Sequence, residues 1–293
     1  MSVTRRFKQV DVFTPVALKG NPLAVIFDAE GLSSEQMQDI ACWTNLSETT
    51  FILPPEDPRA DYRVRIFTSD SELPFAGHPT LGTAHSLLES GLQPKTPGLL
   101  QQECGVGLVA VKIATDNSLA FSAPEAEILP LSAQQLGLLS EVLGAKAGLE
   151  MIAAQVVKMG ICWLVVRLPD AQTCLDVQVD ADALVRIKQA CGVSGVAVFG
   201  VHPHAQPADY ELRAFIVEQG VLIEDPVTGS ANACLARLLQ AENFPDGEKT
   251  RTGYQVRQGT QRQRAGQVNV EFIDGLPWIG GMSVTLIDGT ITV

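Results

Sequence analysis

The stretch "RVRIFTSDSELPFAGHPTLGTAHSLL", residues 63–88, has a counterpart further along the chain, "ELRAFIVEQGVLIEDPVTGSANACLARLL", residues 211–239. Each stretch contains an Arg-x-Phe segment, then a short motif, then an apolar run typical of a helix. The two motifs are "HPTLGTA" and "DPVTGSA", and they begin 147 positions apart. A repeat of this length predicts two domains of the same architecture, each built around one copy.

The segments around the two copies indicate many strands and few helices. Residues 6–13 and 62–67 alternate apolar and polar side chains, which is typical of half-buried strands. "LSSEQMQDIACWTN" predicts a helix that Ser33 or Ser34 caps, and long helices are expected over 79–90 and 227–241. The intervals are too irregular for regular βαβ units. The sequence therefore predicts an α+β fold, in which each half is a curved, mostly antiparallel sheet wrapped around one central helix.

The boundary between the halves is expected near residue 124. Pro124 and Pro130 bracket a short segment that suits a crossing point. The predicted domains are residues 1–123 and 124–280. Because both ends of the chain resemble strands, the last segment, 281–293, is expected to return to the first domain. The active site is expected in the cleft between the two domains.

The composition excludes several classes of protein. The chain has 293 residues, a net charge of −12 and an isoelectric point near 4.8, so a nucleic-acid partner is disfavoured. There is no charged-then-apolar leader and no apolar run of about 18 residues, so we expect a soluble cytoplasmic protein without a membrane partner. None of the six Cys forms a CxxC pair and only four His occur, so no metal site is expected and the thiols are expected to be buried and reduced.

The two repeated motifs predict two helix starts that could hold an anion. Gly77 directly precedes the first motif, Thr80 and Gly82 lie in it, and Gly229 and Ser230 lie in the second. Glycines allow a ligand to approach the backbone, and free N–H groups at a helix start favour a carboxylate or a phosphate. An ordinary helix start is the alternative for either copy alone. No P-loop and no GxGxxG is present, which disfavours a triphosphate or a dinucleotide.

Three ionisable residues are the candidate catalytic groups. His78 precedes the Pro of the first motif, and Asp225 holds the same position in the second. Glu48 stands immediately before an apolar strand, among hydroxyl-bearing residues. Each has a structural alternative: Asp225 could be an N-cap, His78 could serve packing, and Glu48 could be a solvated residue at a strand start.

The segments "NLSETTF", "ELPFAGHPTLGTAH" and "EDPVTGSANACL" resemble the signature segments of the phenazine-biosynthesis PhzF-like family, as does the opening "DVFTPVALKGNPLAVI". The resemblance covers essentially the whole chain in the right order. It implies the fold of diaminopimelate epimerase, with two pseudo-symmetric domains. It also implies a homodimer, for which the sequence has no independent signal.

The resemblance also assigns roles to residues. The best-known member isomerises trans-2,3-dihydro-3-hydroxyanthranilate without a cofactor. By this resemblance Glu48 is the general acid/base, His78 and Asp225 line the site, and Ser230 and the neighbouring glycines hold the substrate. The epimerase relatives use two facing thiols at the helix starts, whereas the matching loops here carry no Cys. A two-thiol racemase is therefore disfavoured.

The expected function is that of an isomerase that needs no cofactor and moves a proton within a small carboxylated substrate, which is cyclic or amino-acid-like. Two alternatives stay open at this point. One is a racemase or epimerase acting at a single carbon, and the other is a non-catalytic protein that binds a small molecule on the same scaffold.

Overall fold

A computed structural model of the chain describes residues 2–144, 153–203, 206–218 and 220–293. The chain divides into two compact units. Unit 1 consists of Met1–Ser122 and Gly280–Val293, and unit 2 of Ala123–Ile279. The elements up to residue 122 are β1 (Thr4–Val12), β2 (Asn21–Ile26), α1 (Ser34–Thr44), β3 (Glu48–Leu53), β4 (Tyr62–Phe67), β5 (Glu72–Leu73), α2 (Gly77–Glu89), β6 (Leu99–Cys104), β7 (Gly107–Ile113) and β8 (Leu119–Ser122).

The remaining elements lie between residues 127 and 292. They are β9 (Glu127–Pro130), α3 (Ala133–Val142), β10 (Ala153–Met159), β11 (Ile161–Arg167), α4 (Ala171–Asp176), α5 (Ala181–Cys191), β12 (Gly195–Val201), β13 (Tyr210–Glu218), β14 (Val221–Asp225), α6 (Gly229–Ala241), β15 (Gly253–Gln258), β16 (Gly266–Ile273), β17 (Leu276–Gly281) and β18 (Ser283–Thr292).

In unit 1 the first strand lies between the last strand and the second. β1 pairs antiparallel with β18 on one side and with β2 on the other. β2 then pairs parallel with β3, β3 antiparallel with β4, and β4 parallel with β6. The antiparallel strands β7 and β8 complete the order, and the short β5 also pairs with β4.

Unit 2 repeats this order with other strands. β9, β10 and β11 pair antiparallel in turn, and β11 pairs parallel with β12. β12 pairs antiparallel with β13, which pairs parallel with β15, and β15 pairs antiparallel with β16. Each unit thus contains two parallel connections that cross over a helical segment, a feature that the sequence did not predict.

Helix α1 shows how local sequence defines an element. Of the two predicted caps, Ser33 and Ser34, it is Ser33 that caps the helix. It forms a capping box with Gln36, and Met37, Ile40 and Ala41 are the buried residues of the helix. The long helices α2 and α6 are buried over most of their length. A helix that is buried nearly all round can only be the centre of its unit, and its start is then fixed by the surrounding strands.

The Arg-x-Phe segments of the repeat form the same clamp in both units. Arg65 binds both carboxylate oxygens of Glu72 at 2.7 and 2.6 Å. Arg213 binds Glu224 in the same bidentate way at 3.0 and 2.9 Å. Each guanidinium also lies over the ring of the Phe two residues later. In each unit the Arg–Glu pair therefore joins the two strands of a hairpin, β4–β5 in unit 1 and β13–β14 in unit 2.

The cysteines differ from one another in exposure. Cys174 and Cys234 are buried and all six are free thiols, but Cys42 is exposed, so the prediction of a buried thiol is wrong there. Its sulfur donates to the Ser69 carbonyl at 2.8 Å on the surface of unit 1. Among the described residues, no helix is both long enough and apolar enough to cross a membrane.

Candidate active site

Glu48 and His78, two of the predicted catalytic residues, meet in unit 1. Glu48 is the first residue of β3, and His78 is the second residue of α2. Nδ1 of His78 lies 3.4 Å from Oε2 of Glu48, and the two side chains are 5% and 16% exposed. Glu48 is therefore not the solvated surface residue that was the alternative.

The neighbouring strand fixes both partners. In the parallel pair β2–β3, Glu48 is in register with Leu23. The preceding residue, Pro22, accepts a hydrogen bond from the ring of His78 through its carbonyl oxygen. Two residues after Glu48, the hydroxyl of Thr50 donates to the Ala24 carbonyl on β2 at 3.3 Å. The start of β3 is thus held against β2 at the point where His78 reaches it.

A hydroxyl on α2 also binds the strand β3. Thr83 donates to Thr50 at 2.9 Å, and both residues are fully buried. The bond ties the helix that carries His78 to the strand that carries Glu48. The separation of the two side chains is therefore set by packed elements and not by a loop.

Burial determines the charge of His78. Loss of hydration lowers the pKa of its imidazole to about 3, and the hydrogen bond to the Pro22 carbonyl acts in the opposite direction. At pH 7 the ring is therefore neutral, and its contact with Glu48 is not an ion pair. Nε2 is buried and has no hydrogen-bond partner within the described ranges. A buried, unpaired ring nitrogen beside a carboxylate is typical of a site that binds a polar ligand group.

The start of α2 has no side-chain cap. Its N-cap residue is Ala76, whereas α1, α3, α4 and α5 are each capped by a Ser or an Asp. The predicted ligand residue Gly77 begins the helix. The hydroxyl of Thr80 donates to the Ala76 carbonyl and accepts from Nε2 of Gln102 at 2.9 Å. The hydrogen of that hydroxyl is thus already donated within the protein.

Gly82 is explained by packing. A Cβ atom at this position would lie 2.6 Å from Cδ2 of Leu23 and 2.8 Å from Cγ2 of Val12. Only glycine permits α2 to approach β1 and β2 this closely. Its predicted role in substrate binding stays a prediction, and so does that of Thr80.

In unit 2 the remaining predicted residues gather at the start of α6. Asp225 ends β14, and its Oδ2 accepts a hydrogen bond from the hydroxyl of Thr228 at 2.6 Å. Thr228 is the N-cap residue and its side chain caps no backbone N–H, so Asp225 is not the N-cap. Gly229 begins the helix, and Oγ of Ser230 accepts from the indole N–H of Trp163 at 3.0 Å.

Sequence reasoning did not identify three residues that organise these helix starts. Gln102 and Gln258 are fully buried amides on β6 and β15, and Trp163 is a buried indole on β11. For Gln258 the only signal was a polar residue at an apolar position of an alternating strand, and Trp163 and Gln102 had no such signal. Whether Asp225, Gly229 and Ser230 act together with Glu48 and His78 stays a prediction.

Neither of two cavities is lined by a predicted catalytic residue. One, of about 530 Å³, is lined mainly by polar residues of unit 2, among them Asp209, Lys249 and Glu271. The other, of about 310 Å³, is an apolar groove of unit 1 beside Trp43. No group of three potential metal ligands occurs in the part of the chain that the structure describes. The candidate site is thus defined by Glu48 and His78.

Solved structures with the same fold include a phenazine biosynthesis protein of the PhzF family from Bacillus anthracis. It is 21% identical, with 99% of this chain and 100% of that chain covered and a TM-score of 0.84. A hydroxyproline epimerase from Agrobacterium vitis, 14% identical, covers 99% of this chain and 91% of its own with a TM-score of 0.66. These likenesses confirm the predicted fold class, that of diaminopimelate epimerase.

Similar sequences define the class of protein as an isomerase. An uncharacterised isomerase of Mesorhizobium japonicum is 30% identical over 99% of both chains. Trans-2,3-dihydro-3-hydroxyanthranilate isomerase of Pseudomonas aeruginosa is 54% identical over 82 residues, which are 28% of this chain and 29% of that protein. Antisense-enhancing sequence 1 of Schizosaccharomyces pombe is 36% identical over 97% of both chains.

The model of the phenazine biosynthesis-like (PhzC-PhzF) family matches residues 10–289. The chain belongs to that family. Family membership confirms the resemblance identified in the sequence, and the names of the relatives confirm the predicted enzyme class.

Proposed function

We propose that Glu48 is the general acid/base of a proton-shifting isomerase and that His78 assists it. The observation that carries this proposal is the 3.4 Å approach of Nδ1 of His78 to Oε2 of Glu48, with both side chains largely removed from water. A carboxylate held against an imidazole with little access to water is a suitable general acid/base, provided that it reaches the proton it moves.

The proposed reaction needs no change of oxidation state. The carboxylate of Glu48 takes a proton from an activated carbon, and the C–H electron pair passes into the conjugated system of the substrate. The same oxygen then returns the proton to a different carbon of that system, and Glu48 becomes a carboxylate again. One side chain that faces both carbons can perform both transfers, so two thiols are not required.

His78 acts in this proposal as a neutral hydrogen-bonding group. Burial keeps its pKa at about 3, so it does not cancel the charge of Glu48 at pH 7. Its buried Nε2, which has no partner within the described ranges, is free to bind an amine or hydroxyl group of the substrate. The imidazole would thereby orient the substrate relative to Glu48.

The substrate carboxylate is assigned to the helix starts. The N-cap residues of α2 and α6 form no side-chain cap, and N–H groups at a helix start favour an anion. Because the indole N–H of Trp163 can only donate, the hydroxyl of Ser230 accepts that bond and keeps its own proton for another acceptor. Gly77, Gly229 and Ser230 would thus supply donors, and Asp225 would bind a substrate amine or hydroxyl.

The first substrate to test is trans-2,3-dihydro-3-hydroxyanthranilate, because a relative with that activity is 54% identical over 82 residues. The purified protein is incubated with it in heavy water and followed by NMR. Deuterium at a new carbon with a shifted double bond supports the proposal. Deuterium at the original carbon with inversion would indicate an epimerase instead. Thermal stabilisation without any product would indicate a binding protein.

The substrate is otherwise sought by its chemistry. A thermal-shift screen of small cyclic and amino-acid-like carboxylates selects ligands, and each ligand is then tested for exchange in heavy water. A homodimer and a cytoplasmic location stay predictions. Light scattering coupled to gel filtration tests the dimer directly, and a mass of one chain, 31.4 kDa, would contradict it.

A further inference from the structure

The side chain of Gln258 extends from the end of β15 into the connection between β14 and α6. It is fully buried. Oε1 accepts the backbone N–H of Thr228 at 3.0 Å and the Nδ2 amide of Asn232 at 3.0 Å. Nε2 donates to the backbone carbonyl of Asp225 at 3.1 Å and to the hydroxyl of Thr228 at 2.8 Å. The amide thus binds both ends of the connection.

The two backbone groups determine which way this amide faces. The N–H of Thr228 can only donate, so it must face Oε1. The carbonyl of Asp225 can only accept, so it must face Nε2. Rotation of the amide by 180° would place the Nε2 donor against the N–H of Thr228 and the Oε1 acceptor against the carbonyl of Asp225. The orientation of Gln258 therefore follows from its neighbours.

The orientation of Gln258 in turn sets the direction of the Thr228 hydroxyl. Because that oxygen accepts a hydrogen from Nε2, its own hydrogen points elsewhere. Oδ2 of Asp225 lies 2.6 Å away and accepts it. Hydrogen bonds to a charged acceptor are about twice as strong as neutral ones. The carboxylate of Asp225 is thus bound by a hydroxyl whose direction a buried amide has fixed.

The corresponding amide of unit 1 shows what is particular to Gln258. Gln102 is also fully buried, donates to the hydroxyl of Thr80 near the start of α2, and accepts from the hydroxyl of Tyr62 at 3.0 Å. In that unit the threonine passes its hydrogen to a backbone carbonyl. In unit 2 the threonine passes it to an ionisable side chain.

We propose that Gln258 is a positioning residue for the carboxylate of Asp225 and that it acts through the hydroxyl of Thr228. The inference rests on the proposed function in one respect, which is that Asp225 contacts the substrate. The geometry of the chain from Gln258 through Thr228 to Asp225 lies entirely in unit 2 and does not depend on it.

The structural test uses crystal structures of three variants. Thr228→Val removes the hydroxyl and keeps the shape, Thr228→Ser restores the hydroxyl, and Gln258→Met removes the amide. In T228V and Q258M the Asp225 side chain should leave its rotamer or occupy several, whereas in T228S it should keep the original one. Gln155→Met is the matched control, because this amide contacts Glu242 near the other end of α6. A single unchanged Asp225 rotamer in both T228V and Q258M would overturn the proposal.

The kinetic test is a double-mutant cycle with trans-2,3-dihydro-3-hydroxyanthranilate, or with the substrate that the heavy-water screen yields. T228V and Q258M should each lower kcat/KM about tenfold. In the Asp225→Asn background the same changes should have almost no further effect on kcat/KM, since the carboxylate that Thr228 and Gln258 position is absent. Equal losses of kcat/KM in both backgrounds would show that Gln258 does not act through Asp225 and would overturn the proposal.

The two proposals fail in different experiments. If Glu48→Gln leaves turnover intact, the proposed base is wrong, but the rotamer of Asp225 in T228V still decides the role of Gln258. If that rotamer is unchanged while Glu48→Gln is inactive, the proposed function stands and the positioning role fails.

Discussion

His78 and Glu48 are 30 positions apart in sequence, yet Nδ1 of the first lies 3.4 Å from Oε2 of the second. The contact joins a helix start to a strand start, and both elements are packed against β2. The two acid–base groups thus meet at a place where water has little access, which is typical of a functional site.

The first prediction concerns the base. Glu48→Gln keeps the shape of the side chain and removes its ability to take a proton. We expect turnover to fall by a factor of about 100 to 10,000, the usual contribution of a general acid/base. Binding of 3-hydroxyanthranilate, an aromatic analogue with the same carboxylate, should change only a few-fold in calorimetry. Glu35→Gln, at an exposed position in α1, is the control with unchanged turnover. Activity of E48Q within tenfold of wild type would contradict the assignment.

The second prediction concerns acid stability. Burial lowers the pKa of folded His78 to about 3, below the value of about 6.5 in the unfolded chain. Between these values the unfolded state binds a proton that the folded state does not. The contribution to stability is therefore complete above pH 6.5 and is lost as the pH falls towards 3, by about 1.4 kcal/mol per pH unit.

The measurement is urea unfolding at several pH values, with His78→Gln as the comparison. The variant should lose less stability on acidification than the wild type, by the amount that one proton contributes. His85 adds in the same direction, because burial lowers its pKa too. The double variant H78Q/H85Q should show the weakest pH dependence. Parallel curves for wild type and H78Q would mean that folded His78 titrates as it does in the unfolded chain.

The architecture could be predicted because its signals are local. The repeat marked both central helices, found at Gly77–Glu89 and Gly229–Ala241, and the pair Ser33–Ser34 marked the start of α1. Amphipathic periodicity and capping act within a few residues, so a single sequence contains them. The parallel connections have no such local signal, since they depend on which distant strand lies alongside.

The candidate site was only partly predictable for the same reason. Local sequence favours an exposed Glu48 at a strand start, whereas its contact with His78 of α2 depends on a residue 30 positions further along the chain. Gln258 ends the strand "GYQVRQ", where alternation alone does not reveal that its amide binds the connection before α6. A polar residue of a strand can face solvent or bind a buried backbone group, and only the packing decides between them.

The third prediction separates packing from binding at Gly82. Ala at this position would place its methyl group 2.6 Å from Leu23 and 2.8 Å from Val12. We expect Gly82→Ala to lower the free energy of unfolding by about 1–3 kcal/mol, the usual cost of overpacking. Gly137→Ala is the matched control, because it also lies in a helix and its Cβ would meet no atom within 4 Å. G137A should be neutral or stabilising by up to about 1 kcal/mol. Equal stability of the two variants would show that α2 has room for a side chain there.

The fourth prediction compares the two arginine clamps of the repeat. The side chains of Arg213 and Glu224 are 7% and 11% exposed, and Nη1 of Arg213 also donates to the carbonyls of Cys174, Leu175 and Val177. Arg213→Met removes one partner of a buried pair and leaves Glu224 charged without it. We expect the free energy of unfolding to fall by about 3–5 kcal/mol.

The corresponding pair of unit 1 is more exposed to water. The side chains of Arg65 and Glu72 are 27% and 41% exposed, so Arg65→Met should cost about 1 kcal/mol or less. Adding Glu224→Gln to R213M should recover part of the loss, because it removes the unpaired charge. Urea unfolding followed by tryptophan fluorescence measures all four proteins, and salt should affect the Arg65 pair more strongly. Similar losses for R65M and R213M would mean that burial does not distinguish the two clamps.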